Sequence, residues 1–184
     1  LQFDGSSDVM VVSGSETAFD AWDELSVLFV FEGVSMAAND FLISKQSLVG
    51  GWGFYRGSNS KAVFTLLGVS GTEYASSSHT GNWDNTQIVT LQFGKGTQKW
   101  YFNGVADQTL NKVGVIGSNT DTTVQIGARV TVSGSDYSRA PMKMSEVLIF
   151  KKRLALPDQQ KVEGYLAHKW GLAGSLANSR AYKT

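Results

Sequence analysis

Apolar residues in this chain recur mostly at every second position, in short runs broken by turn residues. Leu1-Gln2-Phe3-Asp4-Gly5 alternates and then turns, and residues 9–12 form a second short run. Ser26-Val27-Leu28-Phe29-Val30-Phe31 is continuously apolar after its serine and is bounded by Gly33, the pattern of a strand buried on both faces. Residues 41–45, Phe54-Tyr55 after the turn cluster Gly50-Gly51-Trp52-Gly53, and residues 62–67 predict further strands. Residues 70–86 are polar and read as one long loop. Beyond them Val89, Leu91 and Phe93 share one face, and Gly94-Lys95-Gly96 turns the chain. Trp100-Tyr101-Phe102 leads into Asn103-Gly104, a hairpin pair that tolerates positive φ at both residues. Residues 124–127 and 142–150 complete the set. Short strands at this spacing predict an all-β sandwich of two antiparallel sheets, in a single domain spanning residues 1–184. No linker and no internal repeat interrupts it.

The period changes once. Pro157 suits the first turn of a helix and Asp158 its positive end. Val162, Tyr165, Leu166 and Lys169-Trp170 form a stripe at spacings of three and four. His168 and Lys169 fall in the last turn, and Gly171 supplies a left-handed stop. This predicts one short C-terminal helix lying on the sandwich.

Glu146-Val147-Leu148-Ile149-Phe150 followed by Tyr165-Leu166-Ala167-His168-Lys169-Trp170-Gly171-Leu172 resembles the closing strand and C-terminal helix of LamG-like jelly-roll domains, in the concanavalin A-like lectin/glucanase superfamily. Leu1-Gln2-Phe3-Asp4-Gly5, the run from Ser26, Ile43-Ser44-Lys45 with Gly53-Phe54-Tyr55, Trp100-Tyr101-Phe102-Asn103-Gly104 and Gln125-Ile126-Gly127 resemble other blocks of that pattern in order. The resemblance implies a jelly-roll sandwich that binds glycans or proteins, with chemistry confined to some branches. One departure stands out. The family pattern often sets a Trp directly before the strand that starts here at Ile88, whereas Trp83 lies farther out, as if in the loop.

The bulk numbers narrow the classes. A formal net charge of zero gives no whole-protein field for nucleic acid or an anionic membrane. No apolar run is long enough to insert in a membrane. Cysteine is absent, which removes disulfides and thiolate zinc sites. Eight acids and one base occupy residues 1–50, whereas seven bases and three acids lie from Glu146 onward. If the first and last strands neighbour each other, these ends attract. Leu1 enters a strand-like segment with no Met or basic leader before it, which leads us to expect a module of a longer chain or assembly.

Catalytic patterns are missing. The Glu-X-Asp-X-X-Glu strand that the resemblance associates with the glucanase branch does not occur, and the spacing of Asp20, Asp23 and Glu24 does not reproduce it. There is no Gly-X-Ser-X-Gly, His-Glu-X-X-His, P-loop or dinucleotide fingerprint, and His79 and His168 fall in different elements. The expectation is a protein that is not an enzyme.

Binding chemistry is better represented. Stacking on a sugar needs an aromatic face with amides, carboxylates or Arg beside it. Trp52 and Tyr55 with Arg56 form one such cluster, Asn82-Trp83-Asp84 a second, and Asp136-Tyr137 a third. Each aromatic also has a core-packing reading. Calcium is the one expected cofactor. Glu146 shares parity with Met142, Met144, Leu148 and Phe150, and a carboxylate on an apolar face needs a metal, a bond or a counter-ion. Asp4 and Asp8 are the candidate co-ligands. The alternatives are a β-bulge that turns Glu146 outward or a pairing with Arg129 or Lys143.

The expected function is therefore a noncatalytic recognition module, carbohydrate-binding, of a secreted or surface protein such as a bacterial adhesin. The alternative is a structural or protein–protein module of a cell-surface or virion assembly. The partner is a glycan or a surface protein, and the setting extracellular, at a cell or virion surface.

Overall fold

The computed structural model describes the chain apart from residues 21, 47–49, 69–70, 77–82, 95, 112–115, 117–122, 131–135 and 184, with backbone alone at 66–68, 71–76, 130 and 136–137. Two six-stranded antiparallel sheets face each other in a jelly-roll sandwich. The first sheet sets β1 (Gln2–Asp4) beside β14 (Pro141–Phe150), then β3 (Leu25–Gly33), β8 (Gln87–Gly94), β9 (Thr97–Phe102) and β10 (Val105–Asn111). The second runs β2 (Met10–Val12), β11 (Val124–Ile126), β4 (Phe41–Gln46), β5 (Gly51–Arg56), β6 (Ala62–Gly68) and β7 (Gly71–Ser76). A short pair, β12 (Arg129–Val130) with β13 (Asp136–Tyr137), stands apart.

Alternation decides what each face meets. In β3, Val27, Phe29 and Phe31 join the core between the sheets, while Leu28 and Val30 point the other way. The same split separates Val89, Leu91 and Phe93 of β8 from Ile88. Phe29 meets Phe54 edge-on at 4.8 Å, and Phe54 meets Trp100 at 5.1 Å, so aromatic rings from both sheets interlock. Each such side chain contributes roughly 1.5–3 kcal/mol by leaving water.

The outward face of β3 and β8 is covered by α1 (Leu156–Lys169), whose Leu166 and Ala167 pack on Leu28, Val30 and Ile88. That is why β3 carries an uninterrupted apolar run. Gly171 has φ +71° just past the helix, and Asn103 and Gly104 have φ +48° and +76° in the β9–β10 turn, as their residue types predict. The chain ends do meet: β1 pairs with β14, and Lys143 of β14 reaches Glu32 at 2.7 Å. One expectation fails. Residues 70–86 are not all loop, because β7 pairs with β6 in register Thr65↔Tyr74. Its polar composition hid an edge strand.

Candidate functional site

The second sheet turns Trp52 and Phe54 into the core, so the intervening residues of β5 face outward. Register then lays Gln125, Ser44, Gly53 and Thr65 in one row across β11, β4, β5 and β6, with Gln46 of β4 opposite Gly51. A register shift between Phe41 and Ile43 inserts one residue in β4. It leaves Ile43 in the core and sends Phe41 outward, where its ring stacks on Tyr55 at 4.7 Å and 25°. The Arg129 guanidinium lies over the other part of this platform, 5.0 Å from the Phe41 centroid.

These groups enclose a cavity of about 280 Å³, lined also by Asn39, Gln46, Thr65 and Ser138. Its rim is held by backbone. Asn39 N–H donates to the Arg56 carbonyl at 2.6 Å, and Phe41 N–H to the Ser138 carbonyl at 3.3 Å. Asn39 and Ser138 both take left-handed conformations, with φ +68° and +58°, uncommon outside glycine. Gly53 leaves room for the Gln46 and Phe41 side chains that line the cavity. A Cβ there would sit 2.6 Å from Gln46 Oε1 and 2.7 Å from Phe41 Cε1. Gln46 Oε1 and Thr65 Oγ1 are buried and have no hydrogen-bond partner among the described residues. Each such atom costs about 1–3 kcal/mol, and a ligand hydroxyl is chemically suited to satisfy it. Beneath the rim, burial pushes the Asp40 carboxyl up, against the opposing bond from the Ala37 amide at 2.5 Å and the nearby Arg56 charge.

The residues singled out from the sequence are scattered. Tyr55 lines the cavity. Arg56 supports the rim, exchanging backbone bonds with Asn39 and Asp40, and its guanidinium donates to Ser60 Oγ at 2.7 Å. Asp136 and Tyr137 enter through backbone, since β13 pairs Tyr137 with Arg129; their side chains lie outside the described set. Asn82 also lies outside the described residues. Asp84 is exposed in a turn and is not among the lining residues. Two expectations require correction. Trp52 is 1% exposed in the core and offers no face to a ligand. Trp83 stands in the turn before β8 as expected, but it is 6% exposed, packs on Phe31 at 5.6 Å and donates its indole N–H to the Ser60 carbonyl at 2.7 Å, so its ring caps the core.

The expected calcium ligands do not assemble. Asp4 sits opposite Pro141, whereas Glu146 lies five residues along β14, a separation of ~15 Å at strand rise. The Asp4 carboxylate accepts bonds from the amides of Ser6, Ser7 and Asp8 and from both serine hydroxyls, which hold it far below the usual carboxylate range. Asp8 Oδ2 accepts the Asp4 amide at 3.0 Å. A bulge between Met144 and Glu146 breaks the assumed parity: Met142 and Met144 join the core, while Leu148 and Phe150 face the helix. Glu146 turns to the end of α1. Among the described residues no three acidic, His or Cys side chains converge as a metal site.

Sequence reasoning missed Phe41, Gln46, Thr65 and Arg129. The alternation of Gly51, Gly53 and Tyr55 against Trp52 and Phe54 was a usable signal for an outward face. The bulge that turns Phe41 out left no mark in the sequence.

No family model matches the chain, and no curated protein matches it in sequence. Solved structures do match in fold. The botulinum neurotoxin serotype G binding domain aligns with TM-score 0.66 at 13% identity, over 90% of this chain and 42% of that one. A botulinum neurotoxin type C structure, described as bearing on cell entry through two ganglioside molecules, aligns with TM-score 0.63 at 18% identity, over 86% of this chain and 39% of that one. A heptameric SAP-like pentraxin from Limulus polyphemus aligns with TM-score 0.62 at 17% identity, over 84% of this chain and 76% of that one. The chain thus spans about two fifths of the toxin chains and about three quarters of the pentraxin.

Proposed function

We propose that this domain is a noncatalytic carbohydrate-recognition module whose site is the groove over the second sheet. The observation that carries the reading is the partly exposed Tyr55 ring, backed by the buried Phe41, beside buried polar atoms lacking partners among the described residues, Gln46 Oε1 and Thr65 Oγ1. An aromatic face with Arg, amide and hydroxyl groups is the chemistry that holds a sugar ring by C–H stacking and hydroxyl bonds.

The fold neighbours lend support at the level of class. They include toxin binding domains, one described with ganglioside and another in complex with SialylT, besides the pentraxin. By analogy with them we place the domain within a longer surface or secreted protein that meets glycans outside the cell, as an adhesin does. Recognition by amides, hydroxyls and Arg129 needs no calcium.

A glycan array read with and without chelator tests the reading, using the wild type, Tyr55→Ala and Gln46→Met. Chelator-resistant binding that both substitutions weaken is the expected result. Silence of the wild type across a broad array would overturn it in favour of a protein–protein module.

A further inference from the structure

We infer, on the strength of that reading, that the groove takes a single terminal sugar ring, entering edge-first, and not an internal stretch of polysaccharide. Three features of the cavity converge on this. Its volume, about 280 Å³, falls at the lower limit of the roughly 300–1,000 Å³ that enclose drug-sized ligands, so one ring fills it. Its aromatic surface is one platform: Phe41 and Tyr55 stack on each other, and no other aromatic side chain among the described residues lines the cavity. An extended glycan would call for a succession of platforms along its path.

The third feature is depth. Gln46 is 5% exposed and Thr65 1%, so the atoms that lack partners lie at the bottom beside the equally buried Phe41 ring, below the partly exposed Tyr55. A chain lying across the mouth would touch Tyr55 and Arg129 without meeting them. A ring that enters by its edge presents neighbouring hydroxyls to the Gln46 acceptor and the Thr65 hydroxyl, and keeps its face against Tyr55. The rim does not readily widen to admit a longer segment, because Asn39 and Ser138 are fixed in left-handed conformations by the bonds they share with Arg56 and Phe41.

The test is a titration of the intact domain, followed by NMR, with the methyl α-glycosides of glucose, galactose, mannose and N-acetylglucosamine and with tetrasaccharides ending in each of them. For the sugar that binds, we expect the monoglycoside and its tetrasaccharide to agree in affinity within about threefold. Gln46→Met and Thr65→Val should each weaken both by about tenfold, the loss of one hydrogen bond to a buried partner, with unchanged circular dichroism. A tetrasaccharide binding more than tenfold tighter than its monoglycoside would overturn the single-ring site while leaving carbohydrate recognition standing. Absence of binding by every probe would overturn both. Equal losses in Gln46→Met and in a distant surface variant such as Asp158→Asn would also count against the site.

Discussion

The indole N–H of Trp170 donates to Glu146 Oε2 at 2.8 Å, joining the last turn of α1 to the bulge in β14. The other oxygen accepts the Tyr165 hydroxyl at 3.0 Å, and Lys169 pairs with the carboxylate at 3.0 Å. The residue that looked like a metal ligand is thus a latch for the helix. Burial disfavours ionisation of Glu146, but the bonds from Trp170, Lys169 and Tyr165 together outweigh it and hold the carboxyl below its usual range. A depressed carboxylate contributes stability that is present above the unfolded value near 4.5 and is lost as pH falls through the folded value. Glu146→Ala should lower unfolding free energy by about 1 kcal/mol at neutral pH. It should also flatten the acid side of the stability curve, read by urea melts between pH 2 and 6. An unchanged acid limb would show that the latch contributes nothing.

Much of the fold was readable from residue order because its determinants are local. The helix carries its own start and stop in Pro157 and Gly171, and the Asn103-Gly104 turn depends on two residues alone. Strand parity also reads locally, until a bulge shifts it. Both failures at the sites have that origin: the extra residue after Phe41 hid the groove, and the one before Glu146 created an illusory metal ligand. Trp52 and Trp83 failed for a different reason. A tryptophan beside glycines or asparagines has the same local signature whether its ring faces solvent or the opposite sheet, and only the packing of Phe31 and Phe64 distinguishes the two.

Trp83 provides the corresponding test. Trp83→Ala should cost about 3–5 kcal/mol through loss of a core aromatic. Trp83→Phe, which keeps the ring but abandons the bond to the Ser60 carbonyl, should cost about 1 kcal/mol. Neither should change glycan affinity once the protein is shown to be folded. Loss of binding in a folded Trp83→Phe protein would place this residue back at the ligand.

Gly53 separates the groove from the core more cleanly. Its Cβ would press on Gln46 Oε1 and Phe41 Cε1 while the other side of the sheet remains untouched. Gly53→Ala should therefore abolish sugar binding and cost about 1–3 kcal/mol of stability, the usual penalty for overpacking. Calorimetric titration beside a thermal melt reads both quantities. Retained affinity would mean that the ligand binds elsewhere on the domain.

Glu163 tests how the helix is seated. Its carboxylate is fully buried, accepts Thr90 Oγ1 at 2.9 Å and Gln159 Nε2 at 2.8 Å, and lies 3.0 Å from Arg180 Nε. Burial raises its pKa above the usual 4.5, opposed by the Gln159 bond, the Arg180 charge and the Thr90 bond. The sign is opposite to that of Glu146. Between 4.5 and the raised value the folded protein binds a proton that the unfolded chain does not, so this group makes the fold more stable as pH falls through that window. Glu163→Gln cannot take up that proton. Urea melts from pH 7 down to 3.5 should show the wild type gaining stability relative to the variant, with the difference levelling off below about 4.5, where the unfolded chain takes up the proton too. At pH 7 the variant leaves the buried Arg180 without its counter-charge, and Glu163→Ala should cost about 3–5 kcal/mol for the same reason. A difference between wild type and Glu163→Gln that shrinks on acidification would mean that the ion pair with Arg180, and not burial, governs this carboxyl.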